Sequence, residues 1–103
     1  MYKARVDKSE LGELFDAILS LEDRKECEAF FEDLCTVAEI KSLAQRWQVA
    51  RMLYGNARYQ DVKEETGASS TTISRVKKCL EYGEGYAKAL DRRKQRNLTE
   101  QKE

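Results

Sequence analysis

"YQDVKEETGASSTTISRVKKCL", residues 59–80, decides how the rest of the chain is read. It reads as two short helical segments joined across Gly67, the second opening on the small residues Ala68 to Thr72. A helix-turn-helix has a definite physical specification. One helix braces the other across a turn tight enough to hold them at roughly 90–120°, which favours a glycine in the turn. Apolar side chains must fill the inner faces, and Val62, Ala68, Ile73 and Val76 are spaced to do so. The outer face of the second helix must be slim and polar, so that its N-terminal end can enter the major groove. Ser69, Ser70, Thr71 and Thr72 meet that demand. The free amides of that end, with the positive end of the helix dipole, also favour a phosphate. Arg58, Lys63, Lys77 and Lys78 surround the motif with positive charge. Lys63 is a departure, because the general motif prefers a small residue there to let the helices approach. The pattern points to double-stranded DNA as partner. The alternative is a helix-turn-helix that docks onto another protein without reading sequence, since amphipathic helix pairs separated by glycine are not confined to DNA-binding proteins.

Outward from the motif, the chain keeps to helical periodicity. Leu11, Leu14, Phe15, Ile18 and Leu19 recur at helical spacing. Ser20 followed by Asp23 is a helix-start signal, and Cys27, Phe30, Phe31 and Leu34 then share one face. Thr36 with Glu39 is a second, cleaner capping box. It opens a stripe of Ile40, Leu43, Ala44, Trp47, Ala50 and Leu53. "YGN" at 54–56 closes that helix, with Gly55 free to take the left-handed conformation. After the motif, "YGEGY" at 82–86 makes a break, and a last helix carries Tyr86 and Leu90. The fold class is therefore all-α, with about six helices and no strand-like alternation. From Asp91, "DRRKQRNLTEQKE" has Leu98 as its one large apolar group, so 91–103 is expected to be a frayed, solvated end. A basic arm reaching a phosphate backbone is the alternative, weakened by Glu100 and Glu103.

The 103 residues fit a single domain with a thin stability margin. The first two helices are short and rich in large apolar groups, so a second copy of the chain is expected to cover part of them. Charge is unevenly spread. Residues 1–40 carry 5 Lys/Arg against 11 Asp/Glu, and residues 41–103 carry 14 against 8. The basic second half suits a polyanion. With no histidine there is no proton shuttle at neutral pH, and no glycine-rich phosphate loop or activated nucleophile is recognisable, so an enzyme is not expected. Cys27, Cys35 and Cys79 form no C-x-x-C pair, and no metal site is expected. Their odd number and the lack of a signal peptide suggest reduced thiols in a cytoplasm, packed as small buried hydrophobes. No apolar run approaches the roughly 18 residues of a membrane span.

The sequence also resembles the Trp repressor family over roughly residues 30–82. The resemblance rests on "FEDLCTVAEIKSLAQRWQVARMLYG" and "RYQDVKEETGASSTTISRVKKCL", and it is to a Trp-repressor-like branch rather than to the tryptophan repressor itself. It implies an intertwined homodimer, with residues 8–54 as a helical dimerisation core and 58–82 as the DNA-reading unit. It implies that Gln60, Lys63, Ser70, Thr71, Thr72 and Ser74 fall where the family contacts DNA, beside Arg58, Ser69 and Lys77 from the motif itself. It further implies an L-tryptophan site, in which Arg46 and Arg75 would hold the ligand and Thr36 would lie near its amino group. Two departures count against tryptophan or another small co-repressor. Val76 stands where the tryptophan-binding members have glycine, and Cys79 where they have serine, a better hydrogen-bonding partner.

The end of the second helix contains no Arg, Lys, Asn or Gln, the side chains that make strong bidentate base contacts. Specificity is therefore expected from several weak, partly water-mediated contacts and from DNA shape, with phosphate pairing supplying most of the affinity. Water-mediated reading is a known property of the family, so that expectation is not independent of the resemblance. Two heads on a dimer would read a near-palindromic site in a regulatory role, as a repressor.

Overall fold

The computed structural model describes residues 7–102, with side chains as far as Asn97. The described residues form six α-helices and no strand: α1 Lys8–Leu19, α2 Arg24–Leu34, α3 Val37–Tyr54, α4 Tyr59–Thr66, α5 Ser70–Tyr82 and α6 Gly85–Lys102. They fall into two compact units, one ending at Ile40 and one beginning at Lys41. The division lies inside α3. The physical reason is where side chains are buried. Neither α1 nor α2 buries a residue fully, whereas Val49 and Ala50 of α3 join the core of the second unit.

The first unit is organised by its helix ends. Asp7 caps α1 by accepting the Ser9 amide at 2.9 Å. Ser20 closes α1, donating its hydroxyl to the Ala17 carbonyl at 2.6 Å, rather than opening α2 as its spacing suggests. Asp23 is the cap of α2: it accepts the Glu26 amide at 2.8 Å, and Glu26 reaches back to the Glu22 amide at 2.9 Å. Thr36 and Glu39 cap α3 reciprocally, at 2.8 and 3.1 Å. Such reciprocal bonds satisfy amides that a helix start leaves open. Phe30 and Phe31 meet edge to face with centroids 5.6 Å apart.

The second unit holds the buried core of Val49, Ala50, Val62, Ala68, Ile73, Val76 and Leu90. Four of these are the inner-face residues expected from the spacing of the 59–80 stretch. Asn56, at φ 64°, takes the left-handed position after α3 that the sequence suggests for Gly55. Asparagine is among the few non-glycine residues that tolerate it. Gly83 ends α5 for another reason: a Cβ there would lie 2.7 Å from the Cys79 carbonyl oxygen. α6 is tied down by Leu90, by the Trp47–Tyr86 ring contact at 6.3 Å and by the Tyr54 hydroxyl, which donates to Asp91. It runs as helix across 91–102. That segment is rich in good helix formers and lacks proline. The thiols also differ from expectation: Cys27 and Cys79 are exposed and Cys35 is half-buried.

Candidate nucleic-acid interface

The turn between α4 and α5 is built from a few local bonds. Gly67 adopts φ 70° and ψ 9°, and its amide donates to the Lys63 carbonyl. Thr66 bridges the corner, donating its hydroxyl to the Val62 carbonyl at 2.7 Å and accepting the Ala68 amide at 3.1 Å. The Gln45 side-chain amide on α3 donates to the Thr66 carbonyl at 3.1 Å, which staples the turn to the longer helix. Neither Thr66 nor Gln45 is singled out by the motif, and their partnership across 21 residues leaves no local sequence signal.

Beyond the turn, Ser69 caps α5. Its hydroxyl oxygen accepts the Thr72 amide at 3.1 Å, and the hydroxyl also bonds Thr72 Oγ1 at 3.1 Å. Ser69, Ser70, Thr71 and Ser74 are exposed, while Thr72 is half-buried with its hydroxyl already engaged. Thr72 Oγ1 thus accepts from Ser69 and helps to brace the helix end. Ser70, Thr71, Ser74 and Arg75 line one shallow groove with Lys78 and Cys79. Gln60 and Lys63 line a second along α4 with Tyr59 and Glu64. Lys63 is exposed, so its length does not obstruct the approach of the helices; the inner position belongs to Val62. Lys77 lies on a further hollow with Ser74, Tyr54 and Leu80.

The acids of α4 are the feature that a tally of cations misses. Arg58 pairs with Asp61 at 3.1 Å, and the Gln60 amide points to Glu64 Oε1 at 3.4 Å. Both pairings follow helical i,i+3 and i,i+4 spacing and are legible in retrospect. Arg58 is 85% exposed at its side chain, so the pair is weak and a phosphate can compete for the guanidinium. Around the motif, the cations with no ion pair among the described residues are thus Lys63 on α4 and Arg75, Lys77 and Lys78 on α5.

The three residues linked to a small ligand are not gathered in one unit. Thr36 belongs to the first, and its hydroxyl is used in the α3 cap. Arg46, half-buried on α3, and Arg75, exposed on α5, belong to the second. Val76 is 1% exposed and packed in the core with Ile73. Among the described residues no group of acids and thiols is placed to hold a metal, and no helix is long and apolar enough to cross a membrane.

An all-helical chain that presents a capped, hydroxyl-bearing helix end from a glycine corner is of the helix-turn-helix class. The family described as Trp repressor protein matches residues 9–94, and the chain belongs to that family, whose members are DNA-binding regulators rather than enzymes. Among its relatives is the uncharacterised protein YerC of Bacillus subtilis (strain 168). It is 56% identical over 95 residues, which cover 88% of this chain and 91% of that protein. The fold is similar to the crystal structure of a Trp repressor candidate from Staphylococcus aureus, with a TM-score of 0.82 and 50% identity over 91% of this chain and 95% of that one. It is also similar to a TrpR-like protein from Eubacterium eligens ATCC 27750, with a TM-score of 0.81 and 47% identity over 87% and 94%.

Proposed function

We propose that the protein is a sequence-specific DNA-binding transcriptional regulator, a repressor, that works as a homodimer on a near-palindromic operator. The observation that carries this reading is the solvent-facing α5 end, Ser69 to Thr71, set off from α4 by the left-handed Gly67. Ser70, Thr71 and Ser74 are the candidates for reading base edges. Lys63, Lys77 and Arg58 pair with phosphates, and Gln60 joins them once released from Glu64. Thr72 and Ser69 hold the end in shape.

Selecting bound duplexes from a random pool, followed by mobility shifts at graded salt, tests the reading. Recovery of a two-fold related motif supports it. Thr71→Ala should then relax preference at one symmetric pair of positions, within the roughly 1–3 kcal/mol typical of a mismatched pair. Lys63→Ala should weaken all duplexes alike and lower the salt slope by about 0.9. A protein that retains no duplex even at low salt would instead be a protein-docking module.

A further inference from the structure

α6 presents a row of cations that the helix-turn-helix reading does not use. Lys88, Arg92 and Arg96 are spaced four apart and so lie along one side of the helix. Lys88 and Arg92 each stand two residues from Leu90, roughly 200° around the helix, so the row faces away from the buried side. All three are exposed, as are Arg93 and Lys94 beside them. Among the described residues no carboxylate lies within salt-bridge distance of any of the five. Asp91, the nearest acid in the chain, is held by the Tyr54 hydroxyl. Glu84 and Glu100 stand at the two ends of the same row, and Glu84 makes no ion pair with Lys88.

Like charges four apart destabilise a helix by a few tenths of a kcal/mol per pair. Attraction to the helix dipole offsets this only within the last turn, so it does not account for Lys88 or Arg92. The row is also rigidly mounted. Leu90 shares the buried cluster with Ile73 and Val76 of α5, and α6 is pinned to α3 through Tyr86 and Asp91. A fixed row of cations with no ion pair among the described residues, on the unit that holds the helix-turn-helix, fits a polyphosphate backbone.

We infer that the Lys88–Arg92–Arg96 face of α6 is a second phosphate-binding surface, which grips duplex DNA independently of sequence. The inference rests on the DNA-binding reading above, and the test separates the two. Affinity for a random-sequence duplex is measured against salt for the full chain and for Lys88→Gln/Arg92→Gln/Arg96→Gln. Glutamine keeps helix propensity and much of the side-chain stem. Each lost phosphate contact lowers the slope of log affinity against log salt by about 0.9, so the triple variant should lose about 2–3 units. Its helix content should be unchanged and its melting temperature unchanged or slightly raised. A slope equal to that of the unaltered chain overturns the inference and leaves the helix-turn-helix reading intact. An equal drop on neutralising Lys8, Arg24 and Lys25 of the first unit also overturns it, because bulk charge would then explain the effect. No retention of the unaltered chain at low salt removes both readings. If the triple variant melts early, Arg92→Gln alone carries the test, with an expected drop of about 0.9.

Discussion

At Gly67 the backbone sits at φ 70°, yet an added Cβ would meet nothing within 4 Å. Space is free, and only the backbone conformation resists a side chain. Gly67→Ala should therefore cost about 1–2 kcal/mol in urea unfolding, the usual penalty of a left-handed L residue, and Gly67→Asn less. Gly55 is the control. Its Cβ would make ordinary contact with the Arg51 and Met52 carbonyls at 3.5 and 3.6 Å, and its φ is not positive. Gly55→Ala should leave the midpoint unchanged or raise it slightly. Glu39 offers a pH test at the same scale. The Thr36 amide, donating to its carboxylate, lowers the pKa of Glu39 from the ordinary glutamate value, and its bond with the Thr36 side chain acts the same way. A pKa lower in the folded than in the unfolded chain means stability that is present above the unfolded value and lost as pH falls through the folded one. Asp7 behaves alike through Ser9. Glu39→Gln keeps an acceptor at the third position of the capping box, so it should fold normally at neutral pH. Between about pH 6 and 3 its melting temperature should fall less than that of the unaltered chain.

Ser69 caps the helix end that faces DNA in the proposed reading, so substitutions there can separate stability from binding. Aspartate caps as well as serine and is favoured by the helix dipole, so Ser69→Asp should fold with undiminished stability. Its charge would face the phosphates, so mobility shifts should show binding lost. Ser69→Ala should do the reverse, costing about 1 kcal/mol of stability while retaining most binding at low temperature. Parallel effects in the two assays would mean that Ser69 acts only as a cap. How much was legible also differs between elements. Val62, Ala68, Ile73 and Val76 could be read directly, because two short helices with one shared wall show their inner face in their spacing. α3 could be read only in part. Trp47, Ala50 and Leu53 of its stripe meet the core, but Leu43 and Ala44 are exposed and Val49, outside the stripe, is fully buried. The second half of α3 serves the helix-turn-helix core, a demand set by residues distant in sequence that periodicity does not carry. The hydroxyl-rich end of α5 was legible from residue type alone, but the capping role of Ser69 within it shows only in the structure. The Gln45–Thr66 staple was not, since nothing near either residue announces it.

For the whole molecule, the open question is what covers the first unit. Within a single chain Leu19 is 81% exposed, Val37 70% and Phe15 54%, and α1 and α2 bury nothing fully. A side chain of this size gains about 1.5–3 kcal/mol when it is fully buried, so these helices are unfinished without a neighbour. If a second copy supplies it, the melting temperature should rise with protein concentration, and sedimentation should report twice the chain mass. Leu19→Asp with Val37→Asp makes the test sharper. In an isolated chain both positions are surface, where substitutions usually change stability by no more than about 0.5 kcal/mol each. In a paired chain the same changes place charges inside an apolar interface, so they should lower the melting temperature clearly and yield monomers. Operator affinity should fall with them, because linking two reading heads gives the second an effective concentration of order millimolar. Salt should divide the two associations: DNA binding weakens steeply as salt rises, whereas an interface of apolar faces persists. A chain that sediments as a monomer, melts at the same temperature at every concentration and is indifferent to both aspartates would leave α1 and α2 to some other partner, and a two-fold operator would then have no structural basis.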